Sequence, residues 1–223
     1  MYFVGREQEI RDVTASLSGE RNIVVVGPIG IGRTSLIRQV ARQMAGQWKF
    51  HFVDFSGTPG DASRALARAL WPAGRMAAAS ARLGHADRNF RISHRGSRRT
   101  IRVIVMEDIA SLTGPMIRFI RSLAVAASRF RLVAIVERTL PPDSLRALRG
   151  FLWPSDLIRL PALNRKASMG LIKHLSDRHG LGWTDDMVRM AAASTFGYPS
   201  CIHEIVQRAI RDRISSSSED VRK

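Results

Sequence analysis

The most constraining feature of this sequence is a glycine-rich run that joins an apolar segment to a helical pattern. The run reads Gly-Pro-Ile-Gly-Ile-Gly-Arg-Thr over residues 27–34. It follows the β-branched segment Asn22–Val26, and apolar residues then recur at helical spacing from Leu36 to Met44. This order predicts a strand, a loop and a helix. In such a loop, glycines let consecutive backbone N–H groups turn inward around a phosphate.

The side chains of the run fit phosphate chemistry as well. Arg33 stands where the pattern places a base that neutralises phosphate oxygens, and the Thr34 hydroxyl stands where the pattern places a magnesium ligand. Lysine is usual at the base position, and because a guanidinium is broader than an ammonium, we expect nucleotide binding with slow turnover. A glycine turn without a ligand is the alternative. The candidate phosphate-binding residues are Gly27, Pro28, Gly30, Ile31, Gly32, Arg33, Thr34 and Ser35.

A second apolar run ends in two acids. Val103–Met106 is followed directly by Glu107 and Asp108. In P-loop enzymes an acid at the end of such a strand holds magnesium, and a neighbouring carboxylate orients the attacking water. We therefore assign Glu107 to magnesium together with Thr34, and we assign Asp108, with Arg33, to catalysis. Two exposed carboxylates at a strand end are the alternative.

Strand and helix patterns alternate over the first two thirds of the chain. This alternation predicts an α/β core, of the P-loop NTPase class, with a parallel sheet sandwiched by helices. Past Pro154 we expect helices only, and hence a small C-terminal all-α lid. The predicted domains are a core over 1–158, a helical lid over 159–214 and a disordered tail over 215–223. The predicted strands are 22–26, 50–55, 101–106 and 132–136, and the predicted helices are 62–70, 115–127, 165–179, 185–195 and 199–214. Over 71–100 we expect a helix followed by an exposed loop. Asp61, Asn164 and Thr184 are the expected N-caps of the helices 62–70, 165–179 and 185–195.

The opening of the chain carries a family resemblance. Residues Phe3–Glu9, with the loop and the acid pair, resemble AAA+ and STAND-type P-loop ATPases, the origin-recognition-like branch in particular. The resemblance implies that Phe3 and Val4 lie against the adenine. It also implies a lid entry at 160–163, and it places Pro199 near the base. Glu137 and Arg138 stand where the family has its first sensor, whereas no arginine stands beside Pro199 for the second.

The resemblance implies a nucleotide-dependent function. ATP, with magnesium, would sit between core and lid and set their relative orientation, and slow hydrolysis to ADP and phosphate would drive a conformational or assembly switch. The family order of the acids is aspartate then glutamate; it is reversed here, and Asp108 is one methylene short, which also predicts slow hydrolysis. The alternative is a non-hydrolysing module with a degraded nucleotide site that binds nucleic acid or protein. A protein partner in trans or a truncated chain would explain the absence of an effector domain.

The charge of the chain is strongly positive. There are 35 Lys and Arg against 19 Asp and Glu, a formal net charge of +16. Such a surface attracts polyanions, nucleic acid first. The alternative to a polyanion partner is that a GC-rich coding sequence by itself produces this arginine-rich composition. The densest segment is either a polyanion-binding loop or a solvated one, and it contains Arg82, Arg88, Arg91, Arg95, Arg98, Arg99 and Arg102.

Several classes of protein are excluded by composition. Cys201 is the single cysteine and the six histidines lack metal-ligand spacing, so a disulfide scaffold and a zinc domain are out. No apolar run approaches the roughly 20 residues of a membrane helix, and the first residues do not resemble a secretory signal. We therefore expect a cytoplasmic protein without a membrane partner.

Overall fold

The computed structural model describes residues 3–70, 101–109, 112–126, 130–137 and 140–220. The predicted helix and loop over 71–100 lie outside these residues. Contacts divide the chain into two compact units. The α/β unit comprises the described parts of 9–28 and 33–159, and the helical unit comprises the described parts of 1–8, 29–32 and 160–223.

The α/β unit is built on a parallel sheet of five strands. The strands are β1 (Asn22–Gly27), β2 (Trp48–Asp54), β3 (Ile101–Ile109), β4 (Phe130–Glu137) and β5 (Ser155–Arg159). Their order in the sheet is β2-β3-β4-β1-β5. The buried central strands β1 and β4 are rich in valine and isoleucine, as expected for strands that are covered on both faces. The predicted α/β class is therefore confirmed. The helices are α1 (Glu7–Ser18), α2 (Arg33–Gln43), α3 (Pro59–Leu70), α4 (Gly114–Ala126) and α5 (Pro142–Phe151).

One face of the sheet packs against α3, α4 and α5 in the main hydrophobic core. Val24, Ile104 and Leu132 point to this face from three neighbouring strands, and Leu66 and Ile120 cover them. Helix α3 begins with a capping box, in which Thr58 Oγ1 accepts from the Asp61 N–H and the Asp61 carboxylate accepts from the Thr58 N–H. The N-cap of α3 is therefore Thr58 rather than the expected Asp61.

Two parts of the α/β unit differ from the prediction. The expectation of helices only after Pro154 is wrong, because β5 follows that proline directly and pairs with β1. Its sequence, Ser-Asp-Leu-Ile-Arg, is short and half polar, as suits an edge strand, so its alternation is too weak to detect. The helices α1 and α5 were also not predicted. In α1 only Val13, Ser16 and Leu17 are buried, a narrow stripe in a polar helix.

The helical unit contains α6 (Arg165–Arg178), α7 (Asp185–Ser194) and α8 (Pro199–Asp220). Asn164 and Thr184 cap α6 and α7 by accepting from backbone N–H groups, as predicted. Helix α8 continues to Asp220, beyond the predicted end at Ile214 and into the predicted tail, since no glycine or proline interrupts it. The domain boundaries stay a prediction. Among the described residues, no helix is both long and apolar enough to cross a membrane.

Candidate functional site

The glycine loop runs from the end of β1 to the start of α2. Gly27 is the last residue of β1 and Arg33 is the first of α2, so strand and helix flank the loop as predicted. Gly30 and Gly32 have φ values of 78° and 94°. Side chains disfavour this left-handed region, so these two positions require glycine. The backbone thus has the alternating conformation that can turn N–H groups toward an anion.

The middle of the loop packs on the start of α8 within the helical unit. The Ser200 N–H donates to the Gly30 carbonyl at 3.2 Å. A Cβ atom added to Gly30 would lie 2.0 Å from the Ser200 Oγ, and one added to Gly32 would lie 3.9 Å from the Pro199 Cγ. The structure therefore brings together three of the predicted site residues, Gly30, Gly32 and Pro199.

The opening segment belongs to the same helical unit. Val4 packs against its hydrophobic cluster, and Gly5, with φ of 68°, leaves no room for a Cβ atom beside Ala167. The buried Arg6 donates from Nη2 to the Pro161 carbonyl at 2.6 Å and to the Ile31 carbonyl at 3.3 Å. Arg6 thus holds the loop by its backbone. This role of Arg6 was not predicted from the sequence. Its signal is the burial of an arginine, which only the structure reveals.

The guanidinium of Arg33 points to the end of β4. Arg33 is only 9% exposed, and its Nη1 donates to the Val136 carbonyl at 2.5 Å. A guanidinium has five N–H donors, so this bond engages one of them. Arg33 therefore ties the first turn of α2 to β4, a contact that the loop pattern alone did not predict.

The two predicted magnesium ligands meet at the carboxyl edge of the sheet. Burial raises the pKa of Glu107, while the nearby Arg38 guanidinium and the Thr34 hydroxyl lower it and the neighbouring Asp108 and Asp54 raise it. The Thr34 hydroxyl is therefore close to the Glu107 carboxylate. The Arg38 Nη2 lies 3.6 Å from the Glu107 Oε1. Glu107 thus has a hydroxyl and a cation beside it.

Asp108 sits at an irregularity of β3. The pairing register between β3 and β4 shifts between Met106 and Ile109, and Asp108 has φ of 55°. A non-glycine residue rarely adopts this conformation, and such positions cluster at functional sites. Asp108 is exposed, next to Glu107, and Asp54 at the end of β2 lies opposite Glu107. Three carboxylates therefore share this edge.

These residues fit a magnesium–nucleotide group in part. A hydroxyl and carboxylates are the hard oxygen donors that magnesium prefers, and parallel sheets bind ligands at the carboxyl ends of their strands. The glycine backbone fits phosphate. Arg33 is the exception, because one of its donors is committed to Val136.

The remaining predicted residues have simpler placements. Gly27 and Ile31 are buried, while Phe3, Pro28 and Ser35 are half-buried. The side chain of Glu137 is not described, and Arg138 lies outside the described residues. Of the seven clustered arginines only Arg102 is described, near the start of β3.

Comparison with solved structures finds the same fold in several ATPases. The Holliday junction branch migration motor RuvB of Thermotoga maritima matches with 16% identity and a TM-score of 0.62, over 97% of this chain and 65% of RuvB. Hsp104 of S. cerevisiae, in a complex with casein, matches with 16% identity and a TM-score of 0.63, over 96% of this chain and 38% of Hsp104. ORC1 of Aeropyrum pernix, in a complex with DNA, matches with 15% identity and a TM-score of 0.55, over 97% of this chain and 68% of ORC1. This chain spans about two thirds of the length of the RuvB chains.

A search of curated proteins finds no significant match to this sequence. A family model does match it. The model described as "AAA ATPase domain" matches residues 2–149, which hold the loop, the acid pair and the whole of β1 to β4. With the parallel sheet and the structural similarities, this match confirms the resemblance to AAA+ P-loop ATPases. The chain belongs to the AAA ATPase domain family.

Proposed function

We propose that this chain binds ATP and ADP with magnesium and hydrolyses ATP slowly, as a conformational or assembly switch. The observation that carries the proposal is a loop whose glycines have left-handed backbones, followed by a helix whose Thr34 hydroxyl is close to the Glu107 carboxylate. Thr34 lies in the first turn of that helix, and Glu107 lies near the end of strand β3. A glycine turn without a ligand would not require these two oxygen donors to meet.

Each residue has a role in the proposed function. The backbone N–H groups from Gly30 to Thr34 would bind phosphate oxygens, with Arg33 supplying positive charge beside them. Thr34 and Glu107 would hold magnesium, which neutralises charge on the phosphates when bound. Asp108 would orient the attacking water. The opening residues Phe3 and Val4 and the proline Pro199 would contact the base.

Two features support slow turnover. Arg33 is broader than lysine and has a donor engaged by Val136, which limits its approach to a transferring phosphate. Asp108 is one methylene shorter than glutamate. The ATP-bound state would therefore persist for a long time before hydrolysis, as a switch requires. Nucleotide shifts such a switch only by the difference between its affinities for the two states.

The experiment that tests this function separates binding from hydrolysis. Asp108→Asn removes the carboxylate that orients water but leaves the loop intact. We expect phosphate release to fall about tenfold or more, since general-base catalysis contributes roughly 10²–10⁴-fold, while ADP affinity stays within twofold. Asp143→Asn, an exposed acid at the start of α5, is the matched control. Equal phosphate release by the Asp108→Asn variant and the wild-type chain would remove Asp108 from the chemistry.

A second observation favours a nucleic-acid partner. Lys49 and Arg102 lie opposite each other on β2 and β3. Burial lowers the pKa of the nearby His51, and both positive charges lower it further. Neither cation forms an ion pair with an acid among the described residues. Like charges on facing strand positions repel, and an anionic partner would relieve that repulsion. In the sequence, the arginine-rich segment continues directly into β3 at this position. We propose the phosphate backbone of nucleic acid as that partner.

Salt dependence tests the nucleic-acid partner. Each phosphate neutralised on duplex DNA contributes about 0.9 to the slope of log K against log salt, so four arginine contacts give a slope near 3 to 4. Replacing Arg95, Arg98 and Arg99 with alanine should flatten the slope by about 2.7, equally for all sequences. Arg64→Ala on α3 is a single-charge control. An unchanged slope in the triple variant would show that the segment is a solvated loop.

A further inference from the structure

Arg38 lies one turn after Thr34 on α2, and its side chain points at the Glu107 carboxylate. Its Nη2 is 3.6 Å from the Glu107 Oε1, and its guanidinium carbon lies 5.4 Å from the centre of the Phe52 ring. Phe52 stands on β2, two positions before Asp54. The side chain of Arg38 is 57% exposed, whereas that of Glu107 is 17% exposed. The exposed guanidinium of Arg38 thus lies beside a Glu107 carboxylate that is mostly shielded from water.

The carboxylate edge needs a compensating charge. The Glu107 side chain is only 17% exposed, Asp54 lies opposite it on β2, and Asp108 follows it in the chain. Like charges at such close positions repel one another. Among the described residues, Arg38 is the cation that forms an ion pair with Glu107. In this arrangement Arg38 supplies the positive charge that a bound divalent cation would otherwise supply.

We propose that Arg38 is an internal counter-ion of Glu107, which magnesium displaces, and that Arg38 thereby sets the magnesium requirement of nucleotide binding. The inference rests on the proposed function, because it assumes that Thr34 and Glu107 hold magnesium. Magnesium demands oxygen ligands at about 2.0–2.1 Å, and a guanidinium held close to the same carboxylate would repel the ion. Arg38 is long and mostly exposed, so it can leave Glu107 for water at small cost. Arg38 is thus a positioning residue rather than a catalytic one.

The test is a magnesium titration of nucleotide binding. Fluorescent mant-ADP is titrated into each variant at fixed ionic strength, and the magnesium concentration at half-maximal binding is measured. Arg38→Met keeps the apolar stem and removes the charge, so we expect half-saturation at a magnesium concentration about three- to tenfold lower, since one repulsive unit charge is removed at a partly exposed site. Arg38→Lys should stay close to wild type. The matched control is Arg42→Met, which removes the same charge one turn further along α2.

A second background makes the assignment specific. If Arg38 acts through Glu107, the effect of Arg38→Met on half-saturation should disappear in the Glu107→Gln background. An unchanged half-saturation in Arg38→Met, or the same shift in both backgrounds, would overturn the inference. Weaker mant-ADP binding by Arg38→Met in EDTA would also overturn it, because that result would make Arg38 a phosphate ligand.

A readout without nucleotide separates this inference from the proposed function. Thermal unfolding of the nucleotide-free variants forms a double-mutant cycle for Arg38 and Glu107. We expect Arg38→Met to lower the Tm in the wild-type background and not in the Glu107→Gln background. A wild-type chain that binds no mant-ADP at any magnesium concentration would contradict the proposed function, and with it the magnesium requirement. Absence of coupling in the cycle would contradict the counter-ion role itself.

Discussion

Arg33 shows how the contacts of one residue alter the chemistry that its position suggests. The loop pattern places a phosphate-binding base there, and that role was predicted for Arg33. The structure adds a contact with the Val136 carbonyl on β4, which the pattern could not predict because the two residues lie 103 positions apart. A buried carbonyl left without a donor is costly. Arg33 therefore contributes to the stability of the fold as well as to the proposed phosphate site.

Substitution of Arg33 tests both contributions. Arg33→Ala should lower the free energy of unfolding by roughly 1–3 kcal/mol, because the Val136 carbonyl loses a donor, and it should weaken nucleotide binding. Arg33→Lys should retain binding and raise the rate of phosphate release, because it restores a compact charge. Urea unfolding and nucleotide titration measure these effects, with Arg42→Ala on the exposed face of α2 as the control. Unchanged affinity in the alanine variant would show that the guanidinium points away from the ligand.

At the scale of elements, the loop is fixed by a contact with a helix far along the sequence. The start of α8 approaches Gly30 so closely that an added Cβ atom would meet the Ser200 Oγ at 2.0 Å. Local pattern predicted the loop and the N-terminal proline of α8. It could not predict their contact, because the spacing of residues within each segment carries no information about packing between segments. Strand β5 was not predicted for a related reason. Its alternation of apolar and polar residues is weak, and its place beside β1 depends on tertiary pairing.

Gly30→Ala should destabilise the fold for two separable reasons. The methyl group would collide with Ser200, and the backbone would keep a φ of 78°, which costs alanine about 1–2 kcal/mol. Ser200→Gly should relieve the collision, so the double variant should recover stability only in part. Gly46→Ala is the control, because a Cβ atom there meets nothing within 4 Å. Equal unfolding free energies for Gly30→Ala with and without Ser200→Gly would mean that the collision is relieved by other means.

At the scale of the whole molecule, the sequence was sufficient for the class of fold but not for the grouping of its parts. Alternating apolar segments predicted four of the five strands, since buried parallel strands are continuous and apolar. Residues 3–8 and 29–32 group with the C-terminal helices. Arg6, for example, bonds to Pro161, 155 positions away. Such contacts depend on the folded chain, so the order of residues along the sequence does not reveal them. The closeness of Thr34 and Glu107 was predictable, because Thr34 follows β1 and Glu107 lies near the end of β3, a parallel strand of the same sheet.

Isothermal titration calorimetry measures whether this chain binds nucleotide with the help of magnesium. The full chain is titrated with ADP and with ATP, first with magnesium and then with EDTA. We expect one site per chain, with affinity that falls when magnesium is removed. We also expect Glu107→Gln to reduce this dependence on magnesium, because Glu107 is a proposed ligand of the ion. Absence of binding heat at millimolar nucleotide, both with magnesium and with EDTA, and with no change in Tm, would contradict the claim and favour a binding module with a degraded nucleotide site.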